Sequence, residues 1–582
     1  MTATLNSSTL EANQDRVKFV PPHIGRHVLP NSPLFAKLLR HARRNRLAIR
    51  DNALKVEKTY GDLLADVLAY RTFLESSLGH QVLEQIERDE EVYIGVLAAG
   101  GYEFTVAILA VHAIGAAAIP MTPKNPVEEA AYFVQKAHQT AIVHSSAASK
   151  LAHSVTDYVN RQGLNLLCFD VLPHLSRESD LSPWDITISS TKSLDGNSPG
   201  IVIFTSGTTG KSKGAVMRRS YTYETATAIG DGYEIVPTDV ILHVLPVHHT
   251  TGLGTSFFPF LNYGACIEFQ TNSFDPAWVW QRWRQGGITV FSGVPTIYMR
   301  LKWYFEKHIS SLPSMEQQKF ITAANQLRAL LCGSSALVDS VQNFWTSLRQ
   351  RPILARYGAS EFPGCIKIGA EPDPNLPVGS VGTAIPGVEL KLSEGDHGEL
   401  LVKSPWMFSK YLNDEEATRQ AHDPDGYFKT GDIARREGRY YFIVGRASVD
   451  IIKSGGYKIS SLEIEREILE LPYVSEATVV GVEDEEFGQR VAAAVLLDPR
   501  QAKSQLPGAC LTIDQLRADL KKKLPGYKLP TLLRVVASEL PKGPTGKIQK
   551  KVLGPKLFPV PGWTKIPGVQ VSGGNGKRMA KI

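Results

Sequence analysis

Residues 205–214 read Thr-Ser-Gly-Thr-Thr-Gly-Lys-Ser-Lys-Gly, a composition suited to holding a polyphosphate. Glycines let the backbone approach a ligand closely, hydroxyls donate hydrogen bonds, and lysines bring charge. The candidate contacts are Thr205, Ser206, Gly207, Thr208, Thr209, Gly210 and Lys213. The apolar run Ile201-Val202-Ile203-Phe204 just before them predicts a buried strand, so the decapeptide leaves its end as a loop. A Walker A loop needs four residues between its first glycine and the Gly-Lys pair. Here only Thr208 and Thr209 separate Gly207 from Gly210, which argues against a P-loop NTPase and for another way of holding ATP.

Six further segments carry residues able to do chemistry. Leu245-Pro246-Val247-His248-His249-Thr250-Thr251-Gly252 places a histidine pair at a turn after a predicted strand. Gly333-Ser334-Ser335-Ala336 and Arg356-Tyr357-Gly358-Ala359-Ser360-Glu361 each follow an apolar run. Tyr427-Phe428-Lys429-Thr430-Gly431-Asp432 ends in an acid after a tight turn. A longer segment runs from Gly445-Arg446 through Asp450 and Lys453-Ser454-Gly455-Gly456-Tyr457-Lys458. Last, Pro541-Lys542-Gly543-Pro544-Thr545-Gly546-Lys547-Ile548 sets a lysine on a glycine-bounded loop.

The elements that must hold these loops alternate β-branched runs with amphipathic stretches up to about residue 445, the pattern of α/β layers. Tyr93–Ala98, Thr140–His144, Ile201–Phe204, Val240–Val244 and Ile288–Phe291 read as inner strands, and residues 172–199 as a polar surface connection. After Arg446 the pattern becomes compact α+β. Ser460-x-x-Glu463 and Thr512-x-x-Gln515 read as capping boxes opening helices through Leu471 and Leu524. Ala477–Val482, Val491–Leu497 and Arg534–Ala537 read as strands. The expected division is a large domain over 30–445, a small one over 446–555 and a tail over 556–582.

The chain has 582 residues, 43% hydrophobic and 21% charged, as in ordinary globular enzymes. Its five cysteines lack CxxC or His-rich spacing, so neither a disulfide framework nor a structural zinc site is indicated. Net charge is +6, but ten Lys/Arg against the single acid Glu539 make residues 521–556 carry +9. That stretch is either a solvated face or a site for an anionic small ligand. No nucleic-acid motif accompanies it, so nucleic acid is not an expected partner. Met1 to Asn13 has no signal-peptide pattern. The apolar stretch Phe104 to Met121 carries His112 and Gly115 and reads as a buried helix running into a strand, not as a transmembrane segment. Ala580-Lys581-Ile582 has the small–basic–aliphatic form of a peroxisomal address read by an import receptor, with the cytoplasm as the alternative location.

Taken in order, the seven motifs resemble the adenylate-forming superfamily of acyl-CoA synthetases, peptide-synthetase adenylation domains and luciferases. The likeness runs over roughly residues 30–555. It implies an α/β large domain with a small mobile α+β domain, and an ATP-dependent acid–CoA ligase using ATP, Mg²⁺ and coenzyme A. It further implies that Thr205–Gly210 wraps the β- and γ-phosphates, and that Glu361 holds the magnesium. Ser360 stands where relatives usually have threonine. Tyr357 would cover the adenine, with Gly333, Ser334 and Ser335 lining the same slot beside Gly358. Asp432 and Arg446 would meet the ribose. Lys547 would bridge acid and α-phosphate, and His248 and His249 would line the acid pocket. Lys453, Gly455, Gly456 and Tyr457 would pass the pantetheine arm after the small domain rotates about a hinge within 446–450.

Two phrases resemble the malonyl-CoA synthetase branch: Ser448-Val449-Asp450-Ile451-Ile452-Lys453-Ser454-Gly455-Gly456-Tyr457-Lys458 and Gly293-Val294-Pro295-Thr296-Ile297-Tyr298-Met299-Arg300. There Arg300 would pair with a second carboxylate; the other reading puts it on the wet side of a helix. The tail equally fits a medium-chain or polyketide-derived acid, as in fungal specialised metabolism. A carrier-loading adenylation enzyme is a further alternative, though no carrier-like domain follows.

Overall fold

The α/β alternation builds two large sheets, in a computed structural model that describes residues 27–177, 179–205, 212–335, 337–455, 457–484, 486–506, 508, 510–542, 548–559 and 567–572. Ser206, Gly207, Thr208, Thr209, Gly210, Ala336, Gly456, Lys547 and Ala580-Lys581-Ile582 lie outside the described residues.

One sheet has seven strands. Tyr93–Leu97 pairs in parallel with Ala117–Met121 and Ala141–His144, and Leu167–Asp170 forms one edge. Pro199–Thr205 joins Ala117–Met121 in parallel and pairs antiparallel with Lys213–Arg218, so residues 206–211 connect two neighbouring strands. Covered on both faces, the inner strands are continuous apolar runs.

The other large sheet has nine strands around a parallel core of Leu47–Asp51, Cys266–Phe269, Val240–His243, Val290–Gly293, Ala329–Cys332 and Leu354–Tyr357. Helix Gly101–Ile114 lies against strands of both sheets, and all 14 of its residues are buried. A helix apolar all round needs cover all round, which explains the apolar stretch seen in the sequence. No described helix is long and apolar enough to cross a membrane.

An antiparallel sheet of Glu389–Glu394, His397–Lys403, Phe428–Glu437 and Tyr440–Arg446 follows. Asp432 therefore sits within a long strand, where the sequence suggested a turn; Gly431, at φ +70, supplies a local irregularity instead. The segment 172–199 also differs from expectation. It contains strand Thr187–Ser193, paired in parallel with Val28–Asn31, because Thr187, Ile188 and Thr191 supply β-branching that the Ser/Pro content masks.

Beyond Arg446, Ile452, Ile459, Ile464, Ile468, Val479 and Leu516 belong to a core of their own. Helix Ser461–Leu469 starts where the Ser460 hydroxyl accepts from the Glu463 amide at 3.2 Å. Glu463 does not close the capping box, because both its oxygens take Lys528 Nζ, at 2.6 and 2.7 Å. Helix Ile513–Leu520 is capped the same way by Thr512, while Gln515 turns to Asp519. Both helices end short of the expected Leu471 and Leu524.

The basic stretch is not uniformly free. Lys522, Lys523, Lys528, Lys542 and Lys550 are ion-paired with Asp519, Glu467, Glu463, Glu476 and the Asp450–Glu465 pair respectively. Lys550 is the most enclosed, its Nζ 2.7 Å from Asp450 and 2.8 Å from Glu465. Removing a cation held this way strands two largely enclosed carboxylates. Lys550→Met is therefore expected to cost about 3–5 kcal/mol of small-domain stability, read from urea unfolding. A loss below about 1 kcal/mol would mean that solvent screens the cluster.

Candidate active site

Four of the motif segments leave the C-terminal ends of strands in the two large sheets, where open α/β sheets bind ligands. The 356–361 segment begins in strand Leu354–Tyr357 and turns sharply. A Cβ on Gly358 would lie 2.4 Å from the Gly364 amide nitrogen, so only glycine fits that close approach. Tyr357 then donates its phenolic proton to Asp432 Oδ2 at 2.6 Å. Arg446 Nε donates to Asp432 Oδ1 at 2.9 Å, and Arg446 Nη2 to the Thr430 carbonyl at 3.0 Å. The antiparallel register Asp432↔Arg446 places that pair side by side.

The electrostatics follow from this triad. Burial works against the Arg446 charge, but Asp432 outweighs it and raises the guanidinium pKa. Burial, reinforced by Asp432, pushes the Tyr357 phenol far above its ordinary value, so it remains a donor. Three of the residues assigned to one nucleoside thus come together, with Asp432 oriented by two tethers.

Glu361 lies beside a second cluster. Its Oε1 accepts from the Tyr411 hydroxyl at 2.7 Å, and Lys213 Nζ stands 5.0 Å from the Tyr411 ring centroid. Tyr411 arrives through the pairing Ala215↔Tyr411 and is a site residue the motif reading missed. No local pattern in Trp406-Met407-Phe408-Ser409-Lys410-Tyr411-Leu412 marks it. Among the described residues Glu361 Oε2 takes no hydrogen bond, and a single hard carboxylate oxygen fits Mg²⁺. Thr205 Oγ1 donates to the Lys213 carbonyl at 3.3 Å, tying together the two strands that flank residues 206–211.

The histidine pair follows strand Val240–His243 and leads into a π-helical turn, Thr251–Thr255. The two rings lie 4.3 Å apart. Burial, then His249 and Lys124, lowers the His248 pKa to about 3, so the imidazole is neutral at pH 7. Thr250 Oγ1 donates to Ser360 Oγ at 3.0 Å, joining this loop to the Glu361 segment. A second missed residue is His243, whose Nε2 lies 2.9 Å from the Gly252 carbonyl and fixes the loop from behind. A neutral histidine can orient a carboxylate but cannot neutralise it, so the acid needs a cation from elsewhere.

Ser334 stands at φ +74, a strained setting for a side-chain-bearing residue, with Ser335 exposed beside it and Gly333 buried. Two assignments stay apart from these clusters. Arg300 is exposed on helix Pro295–Tyr304, its guanidinium 5.1 Å from the Phe274 ring centroid and Nη2 donating to the Phe274 carbonyl at 3.3 Å. Lys453, Gly455 and Tyr457 form a hairpin of the small domain, with Gly455 at φ +56 and Tyr457 53% exposed. Tyr457 stacks on Tyr527 at 4.3 Å and 16°, an aromatic pair open to solvent.

Known proteins share this construction. The profile of the AMP-binding enzymes matches residues 39–412, and that of the AMP-binding enzyme C-terminal domain matches residues 463–547. A malonate–CoA ligase of Arabidopsis thaliana is 34% identical over 80% of this chain and 78% of its own length. An acyl-CoA ligase of Aspergillus oryzae is 32% identical over 91% and 93%. The crystal structure of ATP-bound MatB from Rhodopseudomonas palustris superposes with a TM-score of 0.74 at 26% identity, covering 90% of this chain and 99% of that one. The chain belongs to the AMP-binding enzyme family. Within it, this is an ATP-dependent acid–CoA ligase.

Asp432→Asn keeps the shape but removes the charge that holds Arg446 and Tyr357. KM for ATP is expected to rise about 10–100-fold, as when a charge-assisted hydrogen bond is lost, with kcat at saturating ATP changed far less. Acid-dependent ATP–pyrophosphate exchange reads both values, and an unchanged KM for ATP would separate Asp432 from the nucleotide.

Proposed function

We propose that the acid is a short dicarboxylate of the malonate type, activated as its acyl adenylate with release of pyrophosphate and then transferred to coenzyme A. The supporting observation is Arg300 in the phrase Gly293–Arg300, a guanidinium midway along helix Pro295–Tyr304, whose preceding strand, Val290–Gly293, is central to the nucleotide-bearing sheet. The Arabidopsis relative is named for malonate, and a malonyl-CoA ligase solved with methylmalonyl-CoA and AMP is 28% identical with a TM-score of 0.58.

In this reading Asp432, held by Arg446 and Tyr357, receives the ribose hydroxyls, and the Tyr357 ring packs the base. Glu361 Oε2 would hold Mg²⁺, which supplies charge neutralisation along the phosphates. His248 and His249 orient the reacting carboxylate, and Lys547 brings positive charge between it and the α-phosphate. The carboxylate oxygen attacks phosphorus, the P–O bond to pyrophosphate breaks, and the mixed anhydride replaces an oxide leaving group by AMP. The thiolate of coenzyme A, guided past the Gly455 hairpin, then forms the thioester and expels AMP. Catalysis is positioning plus charge.

A second reading, a medium-chain or polyketide-derived monocarboxylate, draws on the exposed seat of Arg300 on Phe274 and on the Aspergillus relative. Acid-dependent AMP release with malonate, methylmalonate and C6–C18 acids, with and without coenzyme A, decides between them. Turnover confined to malonate and methylmalonate supports the first; turnover confined to long monocarboxylates overturns it.

A further inference from the structure

Two histidines and a cysteine that are distant in sequence meet at the edge of the seven-stranded sheet. His144 ends strand Ala141–His144, Cys168 lies in edge strand Leu167–Asp170, and His153 projects from helix Ser149–Asn160. The parallel register Ile142↔Cys168 and His144↔Asp170 puts His144 and Cys168 on one face, the face on which Ala152 and Val155 of the helix pack beside Ile142. One ring nitrogen of each histidine and the Cys168 sulfur lie within 4.8 Å of one another.

The hydrogen bonds around the rings are those a cation needs. His144 Nδ1 lies 3.0 Å from the Ser145 carbonyl and His153 Nδ1 lies 2.9 Å from the Ser149 carbonyl. A carbonyl only accepts, so each Nδ1 carries the proton and each Nε2 keeps a lone pair. Backbone carbonyls holding the far nitrogen are the usual outer shell of metal-bound histidine. His144 is buried, Cys168 is half-buried, and His153 is exposed on a helix surface. Tetrahedral zinc, with bonds of about 2.0–2.3 Å, wants ligand atoms about 3.3–3.8 Å apart. Ligand atoms within 4.8 Å of one another are therefore within roughly 1 Å of that spacing, and the exposed His153 is the side chain with most room to move.

We propose that His144, His153 and Cys168 form a binding site for a thiophilic divalent cation, with Zn²⁺ the best fit and a water in the fourth position. One sulfur and two imidazoles select such ions over Mg²⁺, which prefers oxygen, so the site does not compete for the metal of the nucleotide reaction. Binding breaks the Cys168 S–H bond, the proton passes to solvent, and the thiolate keeps the electron pair that it donates to the ion. The clasp ties the helix to the edge strand. It lies three to four strand spacings, about 14–19 Å, from the strand that leads into residues 206–211.

The test uses the reduced full-length protein titrated with Co²⁺ as an optical probe and then with Zn²⁺. Expected are one Co²⁺ per chain with a thiolate charge-transfer band, displacement by Zn²⁺, and release of one proton per ion. Cys168→Ser is expected to abolish the band, and His153→Ala, at an exposed position where folding is safe, to weaken binding at least about 10-fold. Cys510→Ser, which removes the exposed cysteine, is expected to change nothing. Absence of the band, its persistence in Cys168→Ser, or equal affinity in His153→Ala would overturn the proposal.

Discussion

Lys547→Ala lowers acid-dependent ATP–pyrophosphate exchange by roughly 10²–10³-fold, the usual cost of losing one transition-state donor, while thioester formation from preformed acyl adenylate persists. The reason is the charge carried by each half-reaction. During adenylation a carboxylate must approach a phosphate against like-charge repulsion, and one cation about 4 Å away is worth about 4 kcal/mol at an effective dielectric near 20. In the second half the leaving group is AMP, and that cation is no longer required. Residues on both sides of the lysine show how its loop is anchored. Lys542 and Ile548 bridge antiparallel across the loop base, Lys542 pairs with Glu476, and Lys550 is clamped by Asp450 and Glu465. The flanks are therefore pinned, one of them to Asp450, which also accepts from the Arg446 amide at 3.0 Å. Single-turnover measurement of each half-reaction is the check, and an equal fall in both would remove Lys547 from adenylation.

The second large effect concerns the choice of acid. Arg300→Leu is expected to lower kcat/KM for malonate by about 10²–10³-fold and to leave monocarboxylates within about twofold. A distal carboxylate brought out of water without a partner carries a penalty of several kcal/mol, whereas a methyl terminus carries none. Leaving its seat on Phe274 costs Arg300 a cation–π contact of about 0.5–1 kcal/mol. A bidentate pair with carboxylate exceeds that, so turning inward is favourable for a dianion alone. Competition kinetics with malonate and hexanoate would settle it: parallel losses would mean that Arg300 supports the helix, not the substrate.

Much of this was readable from local pattern. Continuous apolar runs at 93–97, 141–144 and 201–204 marked strands covered on both faces, and glycine- and hydroxyl-rich segments after such runs marked the loops. Those signals depend only on neighbours in the chain, so they survive without knowledge of the fold. Local pattern misjudged Thr187–Ser193 and Asp432, because in both places the partner strand, rather than composition, decides the conformation. It also overestimated the basic stretch, since the acids that neutralise Lys523, Lys528, Lys542 and Lys550 come from residues 450–476.

By itself, then, the order of residues determined the layered class, the motif loops, and the chemistry those loops can perform. Only tertiary structure decided which groups touch. Tyr357 meets Asp432 across 75 positions, Tyr411 reaches Glu361 across 50, and Cys168 comes to His144 and His153. Side-chain types and spacing specify elements through short-range sterics and periodicity. Contacts between elements depend on sheet order and register, which burial of the whole core selects.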